Sequence, residues 1–123
     1  MKDNEYSDDQ IKKIIWALSA RRDKLLSRVC HPPPMLKGCI QSIYKKCGSP
    51  SCKCKDGSLH GPYWILSAKQ DSKTKTTYLK EGALIRQALA YQKYNKDMAS
   101  IRKTNEKIFY WLKILRDKHA IVL

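Results

Sequence analysis

The sequence predicts an α+β fold in which a three-stranded antiparallel meander lies between an N-terminal helix and a long C-terminal helix. Three observations carry this. Residues 7–29 repeat apolar side chains at helical spacing, residues 38–80 alternate β-rich runs with polar turns, and residues 82–120 contain no proline and only Gly82 as glycine.

The first helix has both start and stop signals. Ser7 can cap it, and Gln10 three residues later completes a capping box. Ile11, Ile14, Ile15, Leu18, Leu25, Leu26 and Val29 then share one face. Arg22 falls on that face, either as a snorkelling edge residue or as a polar contact, and Trp16 points nearly opposite. Pro32, Pro33 and Pro34 end the helix, because proline lacks the N–H and restricts the residue before it.

The middle segment reads as strands. Gly38–Lys46 has no helical periodicity, and Pro62–Ala68 is aromatic and β-rich. A polar turn over Lys69–Lys73 precedes the strand-like run 74–79. Three strands alone make a marginal fold, so something else must stabilise them.

The last segment carries a seven-residue pattern. Leu84, Tyr91, Met98, Asn105 and Leu112 fill one position, and Gln87, Tyr94, Ile101, Ile108 and Leu115 the complementary one. This is a coiled-coil-like seam with a polar Asn at one core site. Unbroken, the helix would run roughly 55–60 Å at 1.5 Å per residue. It must therefore pack on the first helix, pair with another chain, or break near Asn95 or Thr104. The first helix is too short to cover the whole seam, so a homodimer through the C-terminal helix is expected. The chain thus divides into an N-terminal helix and proline linker (1–34), a β-module (35–81) and the long helix (82–123), forming one integrated unit.

The chemistry is concentrated in the loop Cys47-Gly48-Ser49-Pro50-Ser51-Cys52-Lys53-Cys54-Lys55-Asp56-Gly57-Ser58-Leu59-His60. Zinc takes four soft or borderline ligands in a tetrahedron, and Cys47, Cys52, Cys54 and His60 supply that set with spacing C-x4-C-x-C-x5-H. Cys52 and Cys54 share one side of an extended segment, while Gly48, Pro50 and Gly57 permit the turns. The expectation is one structural zinc ion stabilising the meander. Free thiols acting as a redox sensor are the alternative. Cys39, at the far end of a strand, is expected in the core. Cys30 and His31 precede the proline run and are left outside the ligand set, and His119 reads as a solvated residue at a helix C-terminus.

Charge narrows the partners. Twenty-five Lys and Arg face eleven Asp and Glu, a formal net charge of +14 in 123 residues. Such a field attracts polyanions. Candidate phosphate contacts are Lys45, Lys46, Lys53 and Lys55 round the loop, Lys69, Lys73, Lys75 and Lys80 on the meander, and Arg21, Arg22, Lys24 and Arg28 on the first helix. Tyr63 and Trp64 are candidates for base stacking. As strand neighbours they point to opposite faces, so at least one is expected to pack in the core.

No apolar run approaches a membrane span, and the acidic start is no signal peptide, so a cytoplasmic location without membrane contact is expected. No nucleophile elbow, phosphate loop or metal–base motif is present, so no catalytic residue is expected and the chain reads as non-enzymatic.

The run Gly38–Ser67 resembles a family of small, largely uncharacterised prokaryotic proteins frequent in genomes rich in mobile elements. Their shared core contains Cys-Gly-x-Pro-x-Cys-x-Cys followed by Gly and His-Gly-Pro-Tyr. Here this appears as Cys47-Gly48-Ser49-Pro50-Ser51-Cys52-Lys53-Cys54, Gly57 and His60-Gly61-Pro62-Tyr63, with Ser67 beyond. Cys39 stands where a serine follows the family's first glycine. The resemblance implies bound zinc and that cellular setting, and implies no activity. The resulting expectation is a zinc-stabilised accessory protein that binds DNA or RNA. The alternative is a protein-interaction module, an inhibitor or adaptor of a nucleoprotein complex, acting through its coiled coil.

Overall fold

The computed structural model describes residues 5–52 and 57–123. In order these form α1 (Asp8–Val29), β1 (Cys39–Lys45), β2 (His60–Gln70), β3 (Lys73–Leu79) and α2 (Gly82–His119). They make two compact units, residues 33–94 and residues 1–32 together with 95–123.

In the first of these units the strands pair antiparallel in the order β1-β2-β3. Side chains alternate across a sheet, so pairing fixes which residues share a face. Ile40 lies opposite Leu66, and Trp64 opposite Leu79. Together with Ala88 of α2, Ile40, Leu66 and Leu79 form the buried core, and Leu36, Trp64, Leu84, Ile85 and Leu89 pack against it. Ala88 is fully buried; its small side chain lets the helix backbone come close to the sheet. Leu36 N–H donates to the Gln87 carbonyl at 3.0 Å, tying the segment before β1 to the helix.

Cys39 departs from its expected place in the core. It is exposed. Its neighbour Ile40 takes the inward position, because the pairing of Ile40 with Leu66 sets the phase of β1. The β2–β3 turn is also tighter than the sequence suggested. Gln70 pairs with Lys73, leaving Asp71 and Ser72 as a two-residue loop with φ of 52° and 66°. Both central residues at positive φ match the right-handed twist of the flanking strands.

In the second unit α1 packs antiparallel on the C-terminal part of α2. The capping box is present, with Gln10 N–H donating to Ser7 Oγ at 3.1 Å and Ser7 N–H to Gln10 Oε1 at 2.8 Å. Ile11, Leu25 and Ile108 are buried. Arg22 makes a polar contact, its Nη1 donating to Asn105 Oδ1 at 3.4 Å. Near the other end, Lys118 Nζ lies 2.7 Å from Asp8 Oδ1 and His119 Nε2 lies 2.6 Å from Asp8 Oδ2. Tyr6 meets Trp111 edge-on at 5.2 Å.

α2 is continuous through Asn95 and Thr104. One column of the seam faces inward as its pattern implies, with Ile108 buried and Ile101 and Leu115 half-buried. The other is covered only in part, with Leu84, Tyr91 and Asn105 half-buried. Met98 and Leu112 are 42% and 41% exposed, whereas Thr104 is 5% exposed and Trp111 half-buried. Thr104 tolerates burial because its hydroxyl donates to the Ser100 carbonyl at 2.7 Å. Trp16 is 67% exposed.

Ile11→Ala should therefore cost about 2–5 kcal/mol in denaturant unfolding, while Trp16→Ala should stay within about 0.5 kcal/mol of wild type. Hydrogen bonds from Lys118 and then His119 hold the Asp8 carboxyl below its ordinary value of 3.8. A depressed folded pKa contributes stability above the unfolded value and loses it as pH falls through the folded one. Asp8→Asn should thus unfold slightly more easily than wild type near pH 6. The two denaturation midpoints should converge once the pH drops well below 3.8.

Candidate metal centre and basic aromatic cavity

Three of the four expected ligands come together. Cys47 Sγ, Cys52 Sγ and a His60 ring nitrogen all lie within 4.8 Å of one another and could hold a metal ion. His60 Nε2 is 2.8 Å from Cys52 Sγ and 3.2 Å from Cys47 Sγ. Cys52 and His60 are half-buried and Cys47 is exposed. Cys54, Lys53 and Lys55 lie outside the described residues. Cys30, set apart in sequence, is exposed in the helical unit.

Local backbone chemistry explains the convergence. Cys47 follows closely on the end of β1, and His60 opens β2 opposite Lys45. Between these the Cys52 N–H donates to the Ser49 carbonyl at 3.3 Å, closing a turn with Pro50 as its second residue. The register shifts between Ile43 and Lys45, a bulge where two steps along β1 face three along β2 from Tyr63 to His60, so the extra residue lies in β2 at Gly61–Pro62. Gly61 then allows the close approach. Its φ is +142°, and a Cβ there would stand 2.8 Å from the Ile43 carbonyl oxygen. A side chain at 61 would push β1 away from His60.

Beside this cluster is a cavity of about 860 Å³ lined by Lys45, Lys46, Cys47, Pro62, Tyr63, Trp64, Tyr78, Leu79, Lys80 and Ile85. Among the described residues, none that lines it is acidic. Lys45 Nζ stands 4.8 Å from the Tyr78 ring centroid and 5.5 Å from that of Tyr63, and donates to the Tyr78 hydroxyl at 2.8 Å. Trp64 packs against the core, and Tyr63 is 41% exposed on the opposite face. The stacking candidates thus separate as adjacent strand positions must.

The remaining basic residues divide between the units. Lys45, Lys46 and Lys80 surround this cavity. Lys69 and Lys75, with Lys37, line a smaller hollow of about 290 Å³ in the same unit, and Lys73 is exposed where β3 begins. Arg21, Lys24 and Arg28 are exposed on α1, but Arg22 is half-buried, engaged with Asn105 and paired with Asp23 at 3.4 Å. Tyr78 is the site residue that sequence reasoning missed. Its signal was available, because counting back across the Asp71–Ser72 turn pairs it with Ile65, on the same face as Tyr63.

A family profile, described as a domain of unknown function, matches residues 9–87. The chain belongs to the DUF6788 family. The DUF6788 match begins in α1, takes in the ligand loop and all three strands, and stops in α2 at Gln87. No curated protein and no solved structure matches the chain. No helix among the described residues is long and apolar enough to cross a membrane.

Gly61→Ala tests the close approach. It should lower the thermal midpoint and weaken metal retention in a competition titration with a chromophoric chelator, whereas Gly48→Ala, whose added Cβ would meet nothing within 4 Å, should leave both near wild type.

Proposed function

We propose that this chain is a non-enzymatic, zinc-stabilised nucleic-acid-binding accessory protein, with the metal loop shaping one wall of its basic cavity. The observation that carries the reading is that Cys47 belongs both to the ligand cluster and to the lining of a cavity rich in lysine and tyrosine. The metal would be one structural zinc ion, with Cys54 as its fourth ligand. Two thiolates and an imidazole suit zinc by donor type. Sulfur and nitrogen ligands of one zinc stand about 3.6 Å apart. His60 Nε2 lies at 2.8 and 3.2 Å from the two sulfurs. Modest outward movement of the three atoms would admit the ion. When bound, the ion would clip the long β1–β2 connection at both ends and contribute folding free energy to a small sheet.

The partner would be a polyanion. Lys45, Lys46 and Lys80 at the cavity, with Lys53 and Lys55 in the loop and Lys69, Lys73 and Lys75 elsewhere on the β-module, would contact phosphates, and Arg21, Lys24 and Arg28 would add basic surface on α1. Resemblance to proteins found near mobile elements suits an accessory role at such an element, inside the cell and away from membranes.

A second reading is favoured by a different observation. In the helical unit Trp16 is 67% and Phe109 62% exposed, with Met98 and Leu112 also uncovered. A protein-interaction module would cover such side chains, either with another protein or with a second copy through α2.

Metal analysis of the purified chain should give one zinc per chain, and Cys54→Ser should reduce zinc affinity as Cys52→Ser does. Binding of a labelled oligonucleotide should weaken steeply with salt, log K falling against log salt with a slope of about −3 to −6 for a handful of phosphate contacts. Indifference to both nucleic acid and salt, with co-purification of a defined protein, would favour the interaction module instead.

A further inference from the structure

Building on the nucleic-acid reading, we propose that the cavity beside the metal loop is a single-strand site, in which Tyr63 and Tyr78 stack an unpaired base and Lys45, Lys46 and Lys80 hold its flanking phosphates. The arrangement begins in the sheet register. Tyr78 of β3 lies opposite Ile65 of β2, and Tyr63 stands two residues before Ile65, so the two tyrosines are diagonal neighbours on one face. Ile43 of β1 lies opposite Tyr63 on the same face. The two tyrosines lie on the face opposite the core formed by Ile40, Leu66, Leu79 and Ala88, while the cavity lining also includes Leu79 of that core and Trp64 and Ile85 packed against it.

Two features point to a base rather than to phosphate alone. First, the rings are accessible, with Tyr63 41% and Tyr78 50% exposed. A single charged side chain, Lys45, lies over both of them. Lys45 occupies part of those ring faces, and a lysine side chain can swing from ring to phosphate and leave them to a planar group. Second, the cavity of about 860 Å³ has room for a nucleotide, since pockets for small ligands run from about 300 to 1,000 Å³.

The same features disfavour a duplex. Bases in a double helix present edges to a groove and keep their faces stacked on one another, so tyrosine rings set in a sheet can reach only bases that are already unpaired. Lysines alone would not discriminate. The tyrosines do.

The test is fluorescence anisotropy of the zinc-loaded full chain. The probes are a twelve-residue oligothymidylate, an oligouridylate of equal length and a mixed-sequence duplex, each at two salt concentrations. The single strands should bind at least about tenfold tighter than the duplex. Tyr63→Ala and Tyr78→Ala should each weaken single-strand binding about 5- to 150-fold. They should leave the duplex affinity and the salt slope unchanged. Tyr63→Phe and Tyr78→Phe should restore most of the affinity, because the ring face rather than the hydroxyl does the stacking. Zinc content and circular dichroism of each variant establish that it is folded. Wild-type single-strand affinity in both folded alanine variants would overturn the proposal, and so would equal or tighter binding of the duplex. In those cases nucleic-acid binding itself would still stand. Absence of binding to all three probes would remove both this inference and the reading it rests on.

Discussion

The connection between β1 and β2 runs from residue 46 to residue 59 without a helix or strand among its described residues, and both ends of it must return to the same corner of the sheet. Closing a long, irregular loop costs chain entropy, and such loops are uncommon in small domains unless something clips them or uses them. Here the ends carry Cys47 and His60, with Cys52 presented by a proline turn between them. Their ligand atoms converge because Gly61 lets β1 and β2 approach more closely than any side chain would permit. The extra residue of β2 between His60 and Tyr63, opposite the step from Ile43 to Lys45, belongs to the same constraint. The sheet edge, the loop and the adjoining cavity are therefore consequences of one backbone approach.

That approach also organises the charge. A net +14 spread over 123 residues would by itself give a diffuse attraction for polyanions. The bulge and the pairing of Lys45 with His60 instead direct one lysine across the tyrosines of the central and third strands. Arg22 shows the converse. It belongs to the basic series on α1, yet its guanidinium is spent on Asp23 and Asn105. Position in the fold, rather than charge alone, separates a cation available to a ligand from one that ties two helices together.

Much of the architecture was legible because it depends on local chemistry. The Ser7–Gln10 capping box, the proline stop, the meander and the long uninterrupted helix all follow from neighbours in sequence, where spacing and backbone preference act directly. The ligand loop was legible for a similar reason: three of its cysteines and a histidine fall in one short stretch, and three of those four residues are seen to converge. Less was legible wherever the answer lay in a partner surface. Cys39 was expected inside on residue type, but strand phase is decided by cross-strand pairing, and Ile40 took the position. In α2 the column of Ile101, Ile108 and Leu115 was correctly phased. In its companion Asn105 stays half-buried against Arg22, but Met98 and Leu112 are exposed while Thr104 and Trp111 are covered, because the surface that α1 offers determines which side of the helix is covered.

Near-neighbour patterns along the chain suffice for an α+β fold with two helices and a three-stranded meander, for a strongly basic composition and for a dense set of metal-binding residue types. That Cys47, Cys52 and His60 meet, that Tyr78 joins Tyr63 beneath Lys45, and that Arg22 turns to Asn105 emerges only from the folded chain. The physical reason is one of range. Helix caps, turns and apolar periods are interactions between near neighbours, which a linear pattern can express. A shared site depends on strand register and on backbone approach between distant segments, and these are set only when the chain has closed on itself.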